Sequence, residues 1–363
     1  MKIEQVKEIA NAVLYEGYLL YPYRHSAIKN RQRWTIGVVY PREYSEANGG
    51  FEPWMMQTEC LIAGEGNADW EKRDILLDVH IRFLHLLVRS VVEDGRDKSR
   101  PYTEAGVIDR EEHEWGLASR MANEPYEEGV EREIAVTGCS LSELLVRPEV
   151  VEIYFPGQRL VEDPAEVSGG TIVREQLPVM GSVLLSAEAV GDSLFKVGVQ
   201  IENRTPETGA LSNRHNEALL QSFVSTHTIM QVHQGEFISL LDPPEAVQAI
   251  ARECKNIRTW PVLVGSEGET HALLSSPIIL YDYPQLAPES PGNLFDGTEI
   301  DEILTLRILT LTDEEKEEMR QGDARVREIL ERTEALTPEQ FMQLHGTIRS
   351  MQPVVDQGEI EVL

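Results

Sequence analysis

His227 and His233 stand six residues apart in STHTIMQVHQG, and His215 lies upstream in SNRHNEALL. Imidazole nitrogens suit zinc or iron, so a three-histidine metal site is one chemistry these residues offer. On a regular strand His227 and His233 project from the same face. Six strand residues nonetheless span about 20 Å, whereas two ligands of one ion lie within ~4 Å of each other. Only a bulge or a bend would unite them, so separate structural roles are the favoured reading. His80 and His85 are separated by an odd number of positions, which places them on opposite faces of a strand.

Charge supplies the next candidates. No acidic residue occurs from Gly17 to Arg42, a window holding Arg24, Lys29, Arg31, Arg33 and Arg42 with Tyr23 and Trp34 among them. Arginine forks bind carboxylates and phosphates in two places at once, and the aromatic rings offer stacking surface. Near the other end, PESPGNLFDGTEIDEIL gathers Glu289, Asp296, Glu299, Asp301 and Glu302. Three uses compete for these carboxylates. Their spacing departs from the alternating twelve-residue calcium loop, and nothing local sets the separation that paired acid–base catalysis needs. The favoured use is structural: Thr298 caps a helix, Asp301 closes the box, and the acids sit at the positive helix end. The basic window and the acidic loop are opposite in sign, so pairing with each other is one expectation for them. An external anionic ligand or an acidic protein docked on Tyr23, Arg24, Lys29, Arg31, Arg33 and Trp34 is the rival, and a solvated loop is the third.

Nucleophile and phosphate motifs are missing. GxSxG, GxxxxGK[ST], GxGxxG and HExxH do not occur, and Cys139 in TGCSLSELL reads as a buried structural thiol. No cofactor is expected.

The elements that must position these residues can be read from periodicity. Ile3, Val6, Ile9, Ala10, Val13 and Leu14 make one helical face that stops at Gly17. Strands are expected at Thr35–Tyr40, Trp54–Ile62 and Ile75–Val92, where Val79, Ile81 and Phe83 alternate with His80 and Arg82 and the face is expected to shift near Leu84. Further strands are expected at Glu131–Thr137, Val150–Phe155, Phe223–Val232, Arg258–Val264 and Leu273–Tyr281. The clearest hairpin is GSVLLSAEAVGDSLFKVGVQIENRT, with Phe195, Val197, Val199 and Ile201 facing one way and a positive-φ reversal at Gly191-Asp192. Asp242 before Pro243 and Pro244 predicts a capped helix with Val247, Ile250, Ala251 and Cys254 turned inward. Thr312 with Glu315, and Thr337 with Gln340, carry capping boxes. Val326, Ile329, Leu330 and Thr333 form a stripe between them.

With 363 residues and a formal charge of −29, the chain is long enough for two domains or one large β-rich domain, and too acidic to bind nucleic acid or anionic membranes broadly. No apolar run spans a bilayer and the N-terminus lacks a secretory signal. Three scattered cysteines fit a reducing cytoplasm. The expected organisation is an N-terminal α+β portion (1–92), a linker or ordered excursion (93–130), a β-sandwich-like portion (131–285), and an acidic loop with C-terminal helices and a tail (286–363).

Two passages, YEGYLLYPYRHSAIKNRQRWTIGVVYPR and SSPIILYDYPQLAPESPGNLFDGTEIDEILTLRILTLTDEEKEEMR, resemble an uncharacterised bacterial family associated with gene neighbourhoods of nickel–iron hydrogenases. The resemblance implies an accessory or assembly role beside a metalloenzyme and supplies no catalytic residues. The expectation is therefore an α+β protein of mainly antiparallel sheet, sandwich-like or an open barrel, with helices at the N-terminus and in the C-terminal third. Its expected function is that of a non-catalytic cytoplasmic accessory or protein-binding factor. The alternatives are a metal-dependent enzyme using His215, His227 or His233 with carboxylates, and a structural homo-oligomer.

Overall fold

The computed structural model describes residues 3–15, 34–64, 74–93, 126–162, 170–206, 215–285, 301–321 and 324–337. Helix α1 (Ile3–Leu14) forms as its periodicity predicts, burying Val6, Ala10, Val13 and Leu14. Residues 34–41 are not a strand. Their one ladder bridge is Val39 to Phe223, and the Ser225 and Thr226 amides of the segment beside them donate to the Ile36 and Gly37 carbonyls. Trp34 and Gly37 adopt φ of 68° and 56°, which breaks the pleat, and a Cβ on Gly37 would lie 2.6 Å from the Pro277 ring. Only glycine tolerates that approach.

Helix α2 (Arg42–Ala47) leads to β1 (Met55–Gly64), β2 (Leu76–Glu93), β3 (Tyr126–Ser140), α3 (Leu141–Val146), β4 (Glu149–Phe155), β5 (Gln158–Glu162) and β6 (Gly170–Gln176). The hairpin β7 (Val179–Gly191) and β8 (Leu194–Asn203) follows, then α4 (His215–Leu220), β9 (Val224–His233) and β10 (Gly235–Ile238). A 3-10 turn (Glu245–Val247) runs into α5 (Gln248–Ala251), followed by β11 (Trp260–Leu263), β12 (Ala272–Ser276), α6 (Asp301–Leu309), α7 (Asp313–Gln321) and α8 (Ala324–Glu334).

The strands make two open antiparallel sheets, so the protein is α+β and neither sheet closes into a barrel. One runs β10-β1-β8-β7-β4. The other has β11, β12 and β9 leading to β2, then β6 and β5, with β3 on the remaining edge of β2. A strand has two edges. Since β3 pairs with β2 from Leu76 to Arg89, β9 (opposite Leu76–Leu84) and β6 (opposite Val88–Glu93) must share the other edge end to end. β1 and β2 are central strands, so residues 55–93 build the sheets together with residues 126–276.

The sheets face each other across one core. Met56, Ile62, Val183, Phe195, Val197, Val199 and Ile201 of the first meet Leu77, Val79, Ile81, Phe83, Met230 and Leu273 of the second. Each such side chain contributes roughly 1.5–3 kcal/mol on burial. The outer face of the larger sheet is covered by helices. Val6, Ala10 and Val13 of α1 pack on Ile229, Val262, Ala272 and Leu274. Leu304 and Ile308 of α6, Met319 of α7 and Val326, Ile329 and Leu330 of α8 pack with Leu84, Leu86 and Val224.

Three local expectations change. The chain of β2 does not switch faces near Leu84: its register with β3 is unbroken there, and the irregularity between Arg82 and Leu84 lies on the β9 edge alone. The outer face itself turns apolar where the C-terminal helices cover it. The β7–β8 reversal uses Asp192 and Ser193, with Gly191 still paired to Leu194 and without positive φ. Asp242 caps nothing; Ser239 Oγ instead accepts the Leu241 and Asp242 amides, and the helix beyond shrinks to a 3-10 turn and one α-turn. The Thr312–Glu315 box is formed in both directions, at 3.0 and 3.2 Å.

Candidate functional site

The strongest concentration of buried polarity lies on β2 and its neighbours. Alternation turns His80, Arg82, Leu84 and Leu86 toward the helices and Val79, Ile81, Phe83 and His85 toward the inter-sheet core. Both faces then carry an arginine–histidine pair.

On the helix side, Arg82 is 5% exposed and stands opposite Glu133 of β3 and His227 of β9. Its Nη2 donates to Asn11 Oδ1 of α1 at 2.8 Å and to Glu131 Oε2 at 3.3 Å, and Nε lies 3.6 Å from Glu133. Arg325 of α8 donates to Glu131 at 3.0 Å and to the Tyr15 hydroxyl, which itself donates to Glu131 at 2.5 Å. Lys7 and His80 reach Glu133 at 3.2 and 2.8 Å. Burial would raise the Glu133 carboxyl, but the hydrogen bonds from His80 and Lys7 outweigh it and hold the group below its ordinary range. Two helices from opposite ends of the chain are thereby fastened to one strand pair.

His227 is fully buried beside Arg82. Its Nδ1 lies 2.9 Å from the Ser225 carbonyl, an acceptor, so the neutral ring carries its proton on Nδ1 and leaves Nε2 as a lone pair. Burial first, and Arg82 second, push its pKa down to about 4. Arg82 Nη1 and His227 Nε2 are buried without hydrogen-bond partners.

The core side repeats the combination. His85 is buried, with Nε2 donating to the Leu177 carbonyl at 2.8 Å, and burial lowers its pKa to about 4. Arg132 of β3 lies 4.7 Å over the Phe155 ring and donates from Nη2 to Gln176 Oε1 at 2.8 Å. Gln176 Nε2 donates to the His85 carbonyl at 3.1 Å.

The histidines singled out from sequence take three separate environments. His215 opens α4 and reaches the Tyr44 hydroxyl at 3.3 Å, His227 is enclosed as above, and His233 is an exposed partner of Asp78 at 2.8 Å. Among the described residues no group of three or more His, Cys, Asp or Glu side chains is placed to hold a metal. Trp34, expected on an exposed stacking surface, is buried against Leu14, Tyr15 and Val38 instead. Arg42 pairs with Glu46 at 2.7 Å and lies over Trp54. Tyr23, Arg24, Lys29, Arg31, Arg33, Glu289, Asp296, Thr298 and Glu299 lie outside the described residues, and Asp301 and Glu302 open α6.

The thiols are quiet. Burial raises Cys60, and burial with the Glu149 carboxylate, which accepts the thiol at 3.0 Å, raises Cys139 to about 12. Sequence reasoning missed Arg82, Glu131, Arg132 and Gln176, and weighed His85 only with His80, as histidines on opposite faces of a strand. The available signal was HIRFLHLL, where basic residues interrupt an otherwise apolar strand. Comparison of the chain with protein-family models and with curated protein sequences returned no match.

Proposed function

We propose that the chain is a non-catalytic protein-binding or assembly factor that receives a partner protein on the outer face of the five-stranded sheet at β4. The observation behind this reading is an apolar patch on an end strand. Val150 and Tyr154 of β4 and Met180 of β7 are 54, 61 and 41% exposed, and the register Val150–Leu184 and Tyr154–Met180 puts them on one face. Val146, just before β4, is exposed as well. Contiguous exposed apolar residues at a sheet end are what partner surfaces use, by side-chain burial or by strand addition. The raised thiols and the neutral buried imidazoles agree with a role in contact and not in bond-breaking. No helix among the described residues is long and apolar enough to cross a membrane. The resemblance of the two terminal passages makes a protein of nickel–iron hydrogenase assembly, in the cytoplasm, the partner to test first.

The experiment is capture from native cells with the tagged full chain, comparing wild type with Val150→Asp and Tyr154→Asp. A reproducible partner that binds wild type, and at least ~30-fold more weakly the Tyr154 variant of unchanged melting temperature, supports the reading. No reproducible partner, or equal recovery with both variants, refutes it. A second reading, self-association, is favoured by β4 itself: among the described residues it pairs with β7 alone, leaving one edge to a second copy. A dimer mass by light scattering, abolished by the same substitutions, would assign the patch to that contact.

A further inference from the structure

Arg132 differs from Arg82, Arg325 and Arg174 in what it faces. Arg82 and Arg325 meet Glu131, and Arg174 meets Glu128. Arg132 meets the neutral Gln176 amide and the flat side of Phe155, and no carboxylate lies against it among the described residues. Its Nε is buried without a hydrogen-bond partner. In a chain with 62 Asp and Glu against 33 Lys and Arg, a half-buried guanidinium left with a neutral partner stands out. Partial burial disfavours this charge, and no counter-ion among the described residues offsets it.

The second half of the arrangement is His85. It is fully buried, its Nε2 is committed to the Leu177 carbonyl, and its Nδ1, also buried, has no partner. Gln176 ties the two groups together by bonding to Arg132 and to the His85 carbonyl, and Phe155 contacts both, its ring centre 6.4 Å from the imidazole. One unsatisfied donor and one unsatisfied lone pair therefore belong to the same cluster, where β2, β3, β4 and β6 meet.

We propose that Arg132 and His85 form a binding site for a small carboxylate that is taken up together with one proton. One carboxylate oxygen accepts from Arg132 Nε–H. The proton, drawn from solvent, resides on His85 Nδ1 and is donated to the other oxygen. A planar carboxylate matches the guanidinium edge and rests against the Phe155 ring, whereas a phosphate dianion calls for more donors than these two. The charged side chain acting on His85 is Arg132 of β3. β6 presents neutral Gln176 and β4 presents Phe155, while Leu84 and Leu86 flank it on its own strand. An anion on Arg132 cancels that repulsion and gives the new N–H an acceptor, so ligand and proton favour each other. The site is independent of the docking patch and stands or falls separately from it.

Acetate and formate are the probes, followed on the full chain by nitrogen-15 imidazole resonances and by calorimetry at pH near 7.5 and 5.5. The expected result is a carboxylate-dependent shift of His85 Nδ1 toward the protonated position, with affinity rising up to ~tenfold per pH unit across that range. Arg132→Gln should lose the binding, and His85→Gln should keep residual binding without its pH dependence. The proposal is overturned if wild-type His85 resonances ignore both probes at both pH values, which leaves a bridging water as the partner of the two atoms. It is equally overturned if folded Arg132→Gln binds acetate as wild type does. Should that variant not fold, the wild-type titration decides alone.

Discussion

Lowering the pH from about 7 to about 5 sets the folded and unfolded chains in competition for protons at His85 and His227. Both imidazoles are fully buried, and burial moves each from the ordinary 6.5 to about 4. The unfolded chain takes up a proton near 6.5 and the folded chain only near 4, so between these values the unfolded state binds more protons. Stability is therefore complete above about pH 6.5 and falls as the pH drops toward 4. Integrating the linkage gives a loss of roughly 2 kcal/mol per histidine from pH 7 to pH 5, about 3–4 kcal/mol for the two together. The Asp78 and Glu133 carboxyls, held below their ordinary values, contribute only at lower pH and leave this window to the imidazoles. Urea unfolding at a series of pH values reads the effect, since the slope of stability against pH counts protons. Approaching pH 5 the wild type should take up nearly two more protons on unfolding. His85→Gln and His227→Gln should each remove about one. A flat profile from pH 7 to 5, or an unchanged slope in the double variant, would refute the reasoning.

Arg82→Met should destabilise the protein by about 2–3 kcal/mol, because it strips Asn11 and Glu131 of a buried charged donor; chemical unfolding at pH 7 measures it, and a loss under half a kcal/mol would dismiss Arg82 as a brace. Gly181→Ala should cost about 1–3 kcal/mol, since a Cβ there collides with the Glu202 carbonyl and lies 2.8 Å from the Phe223 ring; a melting temperature equal to wild type would contradict that packing. Iodoacetamide should leave Cys60 unmodified in the native protein and label it on unfolding, because burial both shields the thiol and disfavours the thiolate. Mass spectrometry with and without urea distinguishes the two.

Local rules made the β-rich class legible. The period-two run from Phe195 to Ile201 became β8 with strictly alternating burial, and Thr312 with Glu315 formed the cap their spacing encodes. The stripe of Val326, Ile329, Leu330 and Thr333 is buried as its spacing implies. Failures came where distant residues decide. Thr35–Tyr40 has strand composition, yet the positive φ of Gly37, packed against Pro277, breaks the pleat there. His80 and Arg82 alternate with apolar neighbours, and that pattern reads as a wet face because nothing nearby announces that α1 and α8 will lie over it. The buried polar groups were hidden for the same reason. Arg82 acquires its partners from Asn11, Glu131, Glu133 and the neighbourhood of His227, and Arg132 from Gln176. Chain distance conceals such company, and only the interruption of HIRFLHLL by cations betrays it.

The doubly occupied edge of β2 has a consequence for how the chain is made. One flank of that strand waits for β3 and the other for β6 and β9, so a ribosome must deliver the polypeptide through His233 before the strand's hydrogen bonds are closed. Until then at least one flank of an eighteen-residue strand rich in leucine and valine stands open during synthesis. Synonymous changes that slow translation between β2 and β9 should therefore lower soluble yield without altering the finished molecule.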